Sequence, residues 1–168
     1  ARPGARPAVA PATIQEDLCC RDFTINALAL SLNRASLGLL LDPTNGLADL
    51  EQKELRTAYP RALYDDPARL LRLVRFKVRF SMTIEPRTAQ QYENARLDEM
   101  EKLIAPRRVF EELVQVAEEA NPGEVLQALS AEGLLAQILP KTAAQKLNLP
   151  GFARLQKARQ MMPIGGGV

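Results

Sequence analysis

With 46% hydrophobic residues among 168, the chain can bury a core, either as one ordinary domain or as two small ones. A formal charge of +2 does not by itself imply nucleic-acid binding, although arginine far outnumbers lysine and the arginines cluster. The absence of histidine excludes a histidine general base or Ser-His pair within this chain. The two cysteines, Cys19 and Cys20, are neighbours, which leaves no disulfide framework and no metal-ligand spacing. A reducing, cytoplasmic setting is expected, with no membrane partner, because no apolar run is long enough to span a bilayer.

Residues 1–12 are rich in Pro, Ala and Arg and read as an extended, poorly ordered lead-in or as the end of a strand cut from its context. Thr13 with Glu16 forms a capping-box pattern, so a helix is expected from about Ile14 into Cys20-Arg21-Asp22-Phe23-Thr24-Ile25-Asn26-Ala27-Leu28, with a break near Asp22. On a continuous helix Asp22 and Asn26 share one face, flanked by Arg21, and Ile25, Leu28 and Leu32 form an apolar stripe opposite. Asn33 to Ser36 reads as a turn. The run Leu37-Gly38-Leu39-Leu40-Leu41 reads as a buried strand, Asp42-Pro43-Thr44-Asn45-Gly46 as a turn, and residues 54–58 as a second short strand. Two strands alone are marginal, so these are expected to complete a larger sheet.

From Tyr59 the pattern is helical. Asp66 followed by Pro67 predicts a helix start, with Asp66 as N-cap and the helix running to about Phe80. Further helices are expected over 87–94, 106–119, 124–131 and 134–139. The end, Ile164 to Val168, reads as a flexible tail. The fold class is therefore mainly α with a small β remnant.

Two stretches carry chemistry. Arg21, Asp22 and Asn26 present a cation, an acceptor and an amide, which suit a ligand bearing hydroxyls and phosphates. Asp66, Arg69 and Arg72 lie along one helical ridge, where a carboxylate and planar guanidinium groups could read the edge of a base. Each has a plainer reading. Asp66 at a helix start is more often a cap than a ligand contact, Asp22 could cap the helix carrying Asn26, and an arginine run is often a solvated face. Spacing alone leaves both readings open.

In order, these segments resemble the bacterial tRNA nucleotidyltransferase (CCA-adding) and poly(A) polymerase family. Glu16-Asp17-Leu18 with Arg21-Asp22-Phe23-Thr24-Ile25-Asn26-Ala27 resembles its ribose and triphosphate motif. Asp42-Pro43, Gly46 and Asp49-Leu50 resemble the next motif, and Asp65-Asp66-Pro67-Ala68-Arg69-Leu70-Leu71-Arg72 with Arg75-Phe76 resembles the base-selecting motif. The resemblance covers roughly residues 13–140. It implies the end of a nucleotidyltransferase head sheet over 1–58, a helical neck over 59–140 and the start of a helical body over 141–168.

The implied reaction adds CMP or AMP from CTP or ATP to an RNA 3′ end with Mg2+. Asp22 and Asn26 would contact the ribose and Arg21 the triphosphate. Asp66 and Arg69 would pair with the base, and Arg72 would be a neighbouring candidate. The implied partners are tRNA or another RNA 3′ end, CTP and ATP, and a missing head segment or a second chain. The departures from the pattern matter too. Cys20 stands where the family usually has an arginine, and Asp65 where it often has Glu. No Asp-x-Asp pair or glycine-rich phosphate loop occurs. The chain is thus expected to lack the catalytic, metal-binding part of the head and to be inactive alone. The alternatives are a poly(A) polymerase of the same family, a non-catalytic helical RNA-binding or interaction module, or a purely structural helical domain.

Overall fold

The computed structural model describes residues 11–139 and the single positions 148, 150, 151 and 154. The expected flexible tail lies outside them, as do most of the lead-in and nearly all of 141–168. The described chain is α-rich with short strands, as the sequence implied. Helix α1 spans Ile14–Cys19, and its capping box forms as predicted: the Thr13 hydroxyl accepts the Glu16 N–H at 3.3 Å, and Glu16 accepts the Thr13 N–H at 2.7 Å.

The helix does not run on through the first motif. It stops at Cys19, Phe23 takes an extended conformation, and Thr24–Asn26 make one 3₁₀ turn. The cause is long-range. Phe23 forms an antiparallel bridge with Thr57, in which Thr24 N–H donates to the Arg56 carbonyl and Ala58 N–H to the Asp22 carbonyl, both at 3.0 Å. The expected stripe is broken accordingly: Leu32 is exposed, and the residue that packs is Phe23, fully buried against Phe76.

β1 (Ala29–Leu30) pairs antiparallel with β2 (Leu40–Leu41), placing Ala29 opposite Leu41. The leucine run expected to be buried is on the surface, with Leu37 71% and Leu39 56% exposed. Helix α2 (Gly46–Gln52) follows the expected turn, over residues to which the sequence assigned no element. Asp42 explains it, because its two carboxylate oxygens accept the Gly46 and Leu47 N–H groups at 2.7 and 3.0 Å and so satisfy two donors of the first turn. Gly46 is also required by space. A Cβ there would stand 2.1 Å from the Thr24 carbonyl oxygen, so α2 rests directly on the first motif's backbone.

β3 (Glu54–Leu55) does not pair with the leucine run. It pairs in parallel with β4 (Thr83–Ile84), a strand the sequence reading did not anticipate. Between them lie α3 (Ala62–Asp65) and α4 (Arg69–Arg79). Helix α4 begins at Arg69, not at Pro67. Asp66 lies in the connection, and its Oδ1 accepts the Ala68 N–H at 3.2 Å, so it caps a turn that precedes the helix.

α5 (Pro86–Leu97), α6 (Pro106–Ala117) and α7 (Pro122–Ala131) each carry proline in the first turn, where its missing N–H costs nothing. α8 (Leu134–Ile138) follows Gly133, whose positive φ of 72° suits glycine. The core is built on α4, whose Leu70, Leu71, Leu73, Val74 and Phe76 are buried with Leu55, Leu63, Val125, Leu129 and Leu134. At roughly 1.5–3 kcal/mol for each large apolar side chain buried, this cluster holds the helices together and fixes α4 as their common axis.

Candidate functional site

The two sequence motifs meet through one ion pair. Asp22 is buried, and its Oδ1 accepts the Phe23 N–H at 2.8 Å and the Asn26 Nδ2 at 3.0 Å. Its Oδ2 accepts Arg72 Nη1 at 2.8 Å. Asp22 and Asn26 thus do act together, but through an extended residue and a 3₁₀ turn, not along a helix. Burial tends to raise the Asp22 pKa. The hydrogen bonds from Arg72, Asn26 and the Phe23 N–H, with the Arg72 charge, outweigh it and hold the carboxyl below its ordinary value. Asn26 is exposed beside it. Arg21 is exposed too and turns back along α1, its Nε 3.1 Å from Asp17 Oδ2.

Arg72 extends this link to a third element. Its Nε donates to Glu112 Oε1 on α6 at 2.9 Å, and its Nη2 bonds the same oxygen. Burial opposes its charge, but the two carboxylates keep it protonated well above the ordinary arginine value. Glu112 also receives Arg75 Nη2 at 3.3 Å, Arg75 Nη1 donates to Glu119 at 2.8 Å, and Arg79 reaches the same Glu119 oxygen at 3.3 Å. One side of α4 is therefore packed in the core, while its arginines meet acidic groups from the first motif, from α6 and from Glu119 just beyond α6. Arg75, only 4% exposed, is held by charge from both sides.

The second motif is arranged around the α3–α4 connection. Asp66 and Arg69 approach one another, with Nε 3.9 Å from Oδ2, but each has a closer partner. Arg69 Nη1 donates to the Tyr59 hydroxyl at 2.9 Å and to the Ala62 carbonyl at 3.1 Å, and its guanidinium lies 5.6 Å from the Tyr59 ring centroid. Asp66 Oδ2 accepts Arg108 from α6. The motif residues thus form two groups: Asp22, Asn26 and Arg72 in one, Asp66 and Arg69 in the other, with Arg21 apart from both.

Arg108 and Glu112 were not legible in the sequence, because each meets its partner across about 40 residues. Their spacing of four on α6 was the only local signal. Asp49, by contrast, falls in the Asp42–Leu50 motif that the resemblance already marked. Buried at 2% exposure, it accepts the Thr24 hydroxyl at 2.7 Å and Arg56 Nε at 3.1 Å, and so fastens α2 to the first motif.

Two family models match separate segments. Residues 2–56 match the "Poly A polymerase head domain", and residues 81–146 match "Probable RNA and SrmB- binding site of polymerase A". The chain belongs to the tRNA nucleotidyltransferase and poly(A) polymerase family. It is 41% identical over 133 residues to the Multifunctional CCA protein of Nitrosomonas europaea, covering 79% of this chain and 31% of that protein. It is 44% identical over 94 residues to the A-adding tRNA nucleotidyltransferase of Aquifex aeolicus, covering 56% of this chain and 11% of that one.

Among solved structures, a tRNA nucleotidyltransferase complexed with a primer tRNA and an incoming ATP analog superposes with a TM-score of 0.73 at 32% identity. The match covers 82% of this chain and 42% of that one. A tRNA-processing enzyme in an apo form gives a TM-score of 0.77 at 29% identity over 90% of this chain and 44% of that one. The chain thus spans about a third or less of the curated relatives named here.

Among the described residues, no group of three or more His, Cys, Asp or Glu side chains is arranged to hold a metal ion. No described helix is long and apolar enough to cross a membrane.

Proposed function

We propose that this chain supplies the nucleotide-contacting and RNA-contacting portion of a tRNA nucleotidyltransferase that adds CMP or AMP to RNA 3′ ends. The observation that carries the reading is the Asp22–Arg72 pair, which brings the first motif to the helix that bears the second. Residues 1–58 belong to the head and 59–140 to the neck. Asp22 and Asn26 orient the ribose hydroxyls, and Arg21 is the cation for the triphosphate. Asp66 and Arg69 recognise the base, the one accepting from an amino group and the other donating to ring nitrogen or carbonyl positions. Arg72 holds Asp22 and α6 in register from beneath. RNA is bound over the helices beyond β4, in keeping with the family model matched there. Mg2+ and the chemical step belong to carboxylates outside the described residues.

The reading is supported by the relatives, which include A-adding and CCA-adding proteins, and by neighbours solved with ATP or CTP. A titration of the chain with CTP and ATP tests it. Binding is expected in the wild type and is expected to weaken about tenfold or more in Arg69→Ala, the size of one or two hydrogen bonds to a charged group. Absence of nucleotide binding, both by the chain alone and when it is joined to a relative's head segment, overturns the reading.

A further inference from the structure

Asp66 sits where the end of α3, the start of α4 and the first turn of α6 converge. Its Oδ1 accepts the Ala68 N–H at 3.2 Å, and its Oδ2 accepts Arg108 Nη2 at 2.5 Å. Arg108 is itself held, with Nη1 donating to Glu111 Oε2 at 2.8 Å. Glu111 is fixed in turn by Arg107 Nε at 2.9 Å. The Arg108 guanidinium is thus a strut between the α3–α4 connection and α6. Arg69 cannot serve in its place, since its Nη1 is directed to Tyr59 and Ala62 and its Nε remains 3.9 Å from Asp66.

We infer that Arg108 is a positioning residue for base selection, acting through Asp66. The inference rests on the nucleotide reading proposed above. A carboxylate has about four acceptor positions, and the two bonds made here use one on each oxygen. Each oxygen therefore keeps an acceptor position for an amino group. Cytosine and adenine carry such a group on the edge where uracil and guanine carry a carbonyl. An acceptor discriminates between them only if it is held in place, because a freely turning carboxylate can swing away from a carbonyl and leave a water between. The Ala68 N–H anchors one oxygen of Asp66, and Arg108 anchors the other. A planar guanidinium can bridge Asp66 and Glu111 together, which an ammonium cannot do with the same geometry.

The test is a titration of this chain with CTP, ATP, UTP and GTP, in the wild type, Arg108→Ala, Arg108→Lys and Asp66→Asn. The wild type is expected to prefer CTP over UTP and ATP over GTP. Arg108→Ala is expected to cut both preferences about tenfold, the size of one hydrogen bond to a charged group, with the loss falling on CTP and ATP binding. Arg108→Lys is expected to be intermediate, and it carries the test if the alanine variant does not fold. Equal weakening of all four nucleotides would mean that Arg108 serves stability alone and would overturn the inference. So would tighter CTP and ATP binding in Arg108→Ala, since Arg108 would then compete with the base. If Asp66→Asn loses the preference and both Arg108 variants keep it, the inference fails while the nucleotide reading stands. If the wild type binds no nucleotide either alone or joined to a relative's head segment, the reading fails and the inference falls with it.

Discussion

The β1–β2 hairpin and helix α4 are both rich in leucine, and the chain treats them in opposite ways. Around the hairpin Leu30, Leu32, Leu37, Leu39 and Leu40 are exposed, and the two strands meet over only two facing pairs, Ala29 with Leu41 and Leu30 with Leu40. On α4 Leu70, Leu71 and Leu73 are at most 1% exposed and touch elements from β3 to α7. Leucine content therefore does not determine burial. What separates the regions is the opposite face. The arginines of α4 are drawn to Asp22, Glu112 and Glu119, so both sides of that helix are occupied, one by the core and one by charge. The proposed nucleotide-contacting residues depend on the occupied region, because Asp22 takes its place from Arg72 and Asp66 from α6.

The largest effect is expected where this charged face is broken. Glu112 is buried and serves both Arg72 and Arg75. Glu112→Gln leaves two guanidinium groups short of countercharge, a loss of roughly 3–5 kcal/mol for a buried pair deprived of one member. Urea unfolding should show this as a lowered midpoint at unchanged slope. A loss under about 1 kcal/mol would mean that Glu119 and Asp22 suffice and that α6 is not needed to hold the first motif.

A second experiment addresses the two leucine populations directly. Leu73→Ala should cost about 2–5 kcal/mol, the usual range for emptying a fully buried leucine site. Leu39→Ala, at a residue 56% exposed, should stay within about 0.5 kcal/mol. Comparable losses in the two variants would show that the hairpin is as firmly packed as the core around α4, contrary to its exposure.

Much of the helical part was legible in the sequence because its signals are local. Pro86, Pro106 and Pro122 mark helix starts, and Thr13 with Glu16 closes a capping box. The misreadings have equally specific causes. Asp42-Pro43-Thr44-Asn45-Gly46 does turn the chain, but the same Asp42 carboxylate then caps α2, so one residue ends one element and begins the next. The first motif could not stay helical because its backbone bonds went to residues 56–58, a pairing without a local signature. Asp66 looked like an N-cap and does cap a turn, one step ahead of the helix. The motif residues themselves stood out in the sequence as a resemblance. That Arg72 joins the two motifs, and that α6 supplies Arg108 and Glu112, depended on contacts across 40 to 50 residues.

The smallest expected effect concerns the joint itself and depends on pH. The Asp22 carboxyl is held below its ordinary value in the folded chain, so the stability it contributes is fully present above about pH 4. It is lost as pH falls from there through the lowered folded value. Asp22→Asn removes the charge at every pH. It should cost about 1.5–3 kcal/mol at pH 7, the size of hydrogen bonds to a charged group. The gap between wild type and variant should then narrow on acidification, closing below the ordinary aspartate range, because the wild-type carboxyl becomes neutral there as well. Thermal melts of both proteins between pH 7 and pH 2.5 measure the gap. A gap that stays constant with pH would mean that Asp22 acts through shape and neutral hydrogen bonds alone, and that the charge on Arg72 is balanced by Glu112 without it.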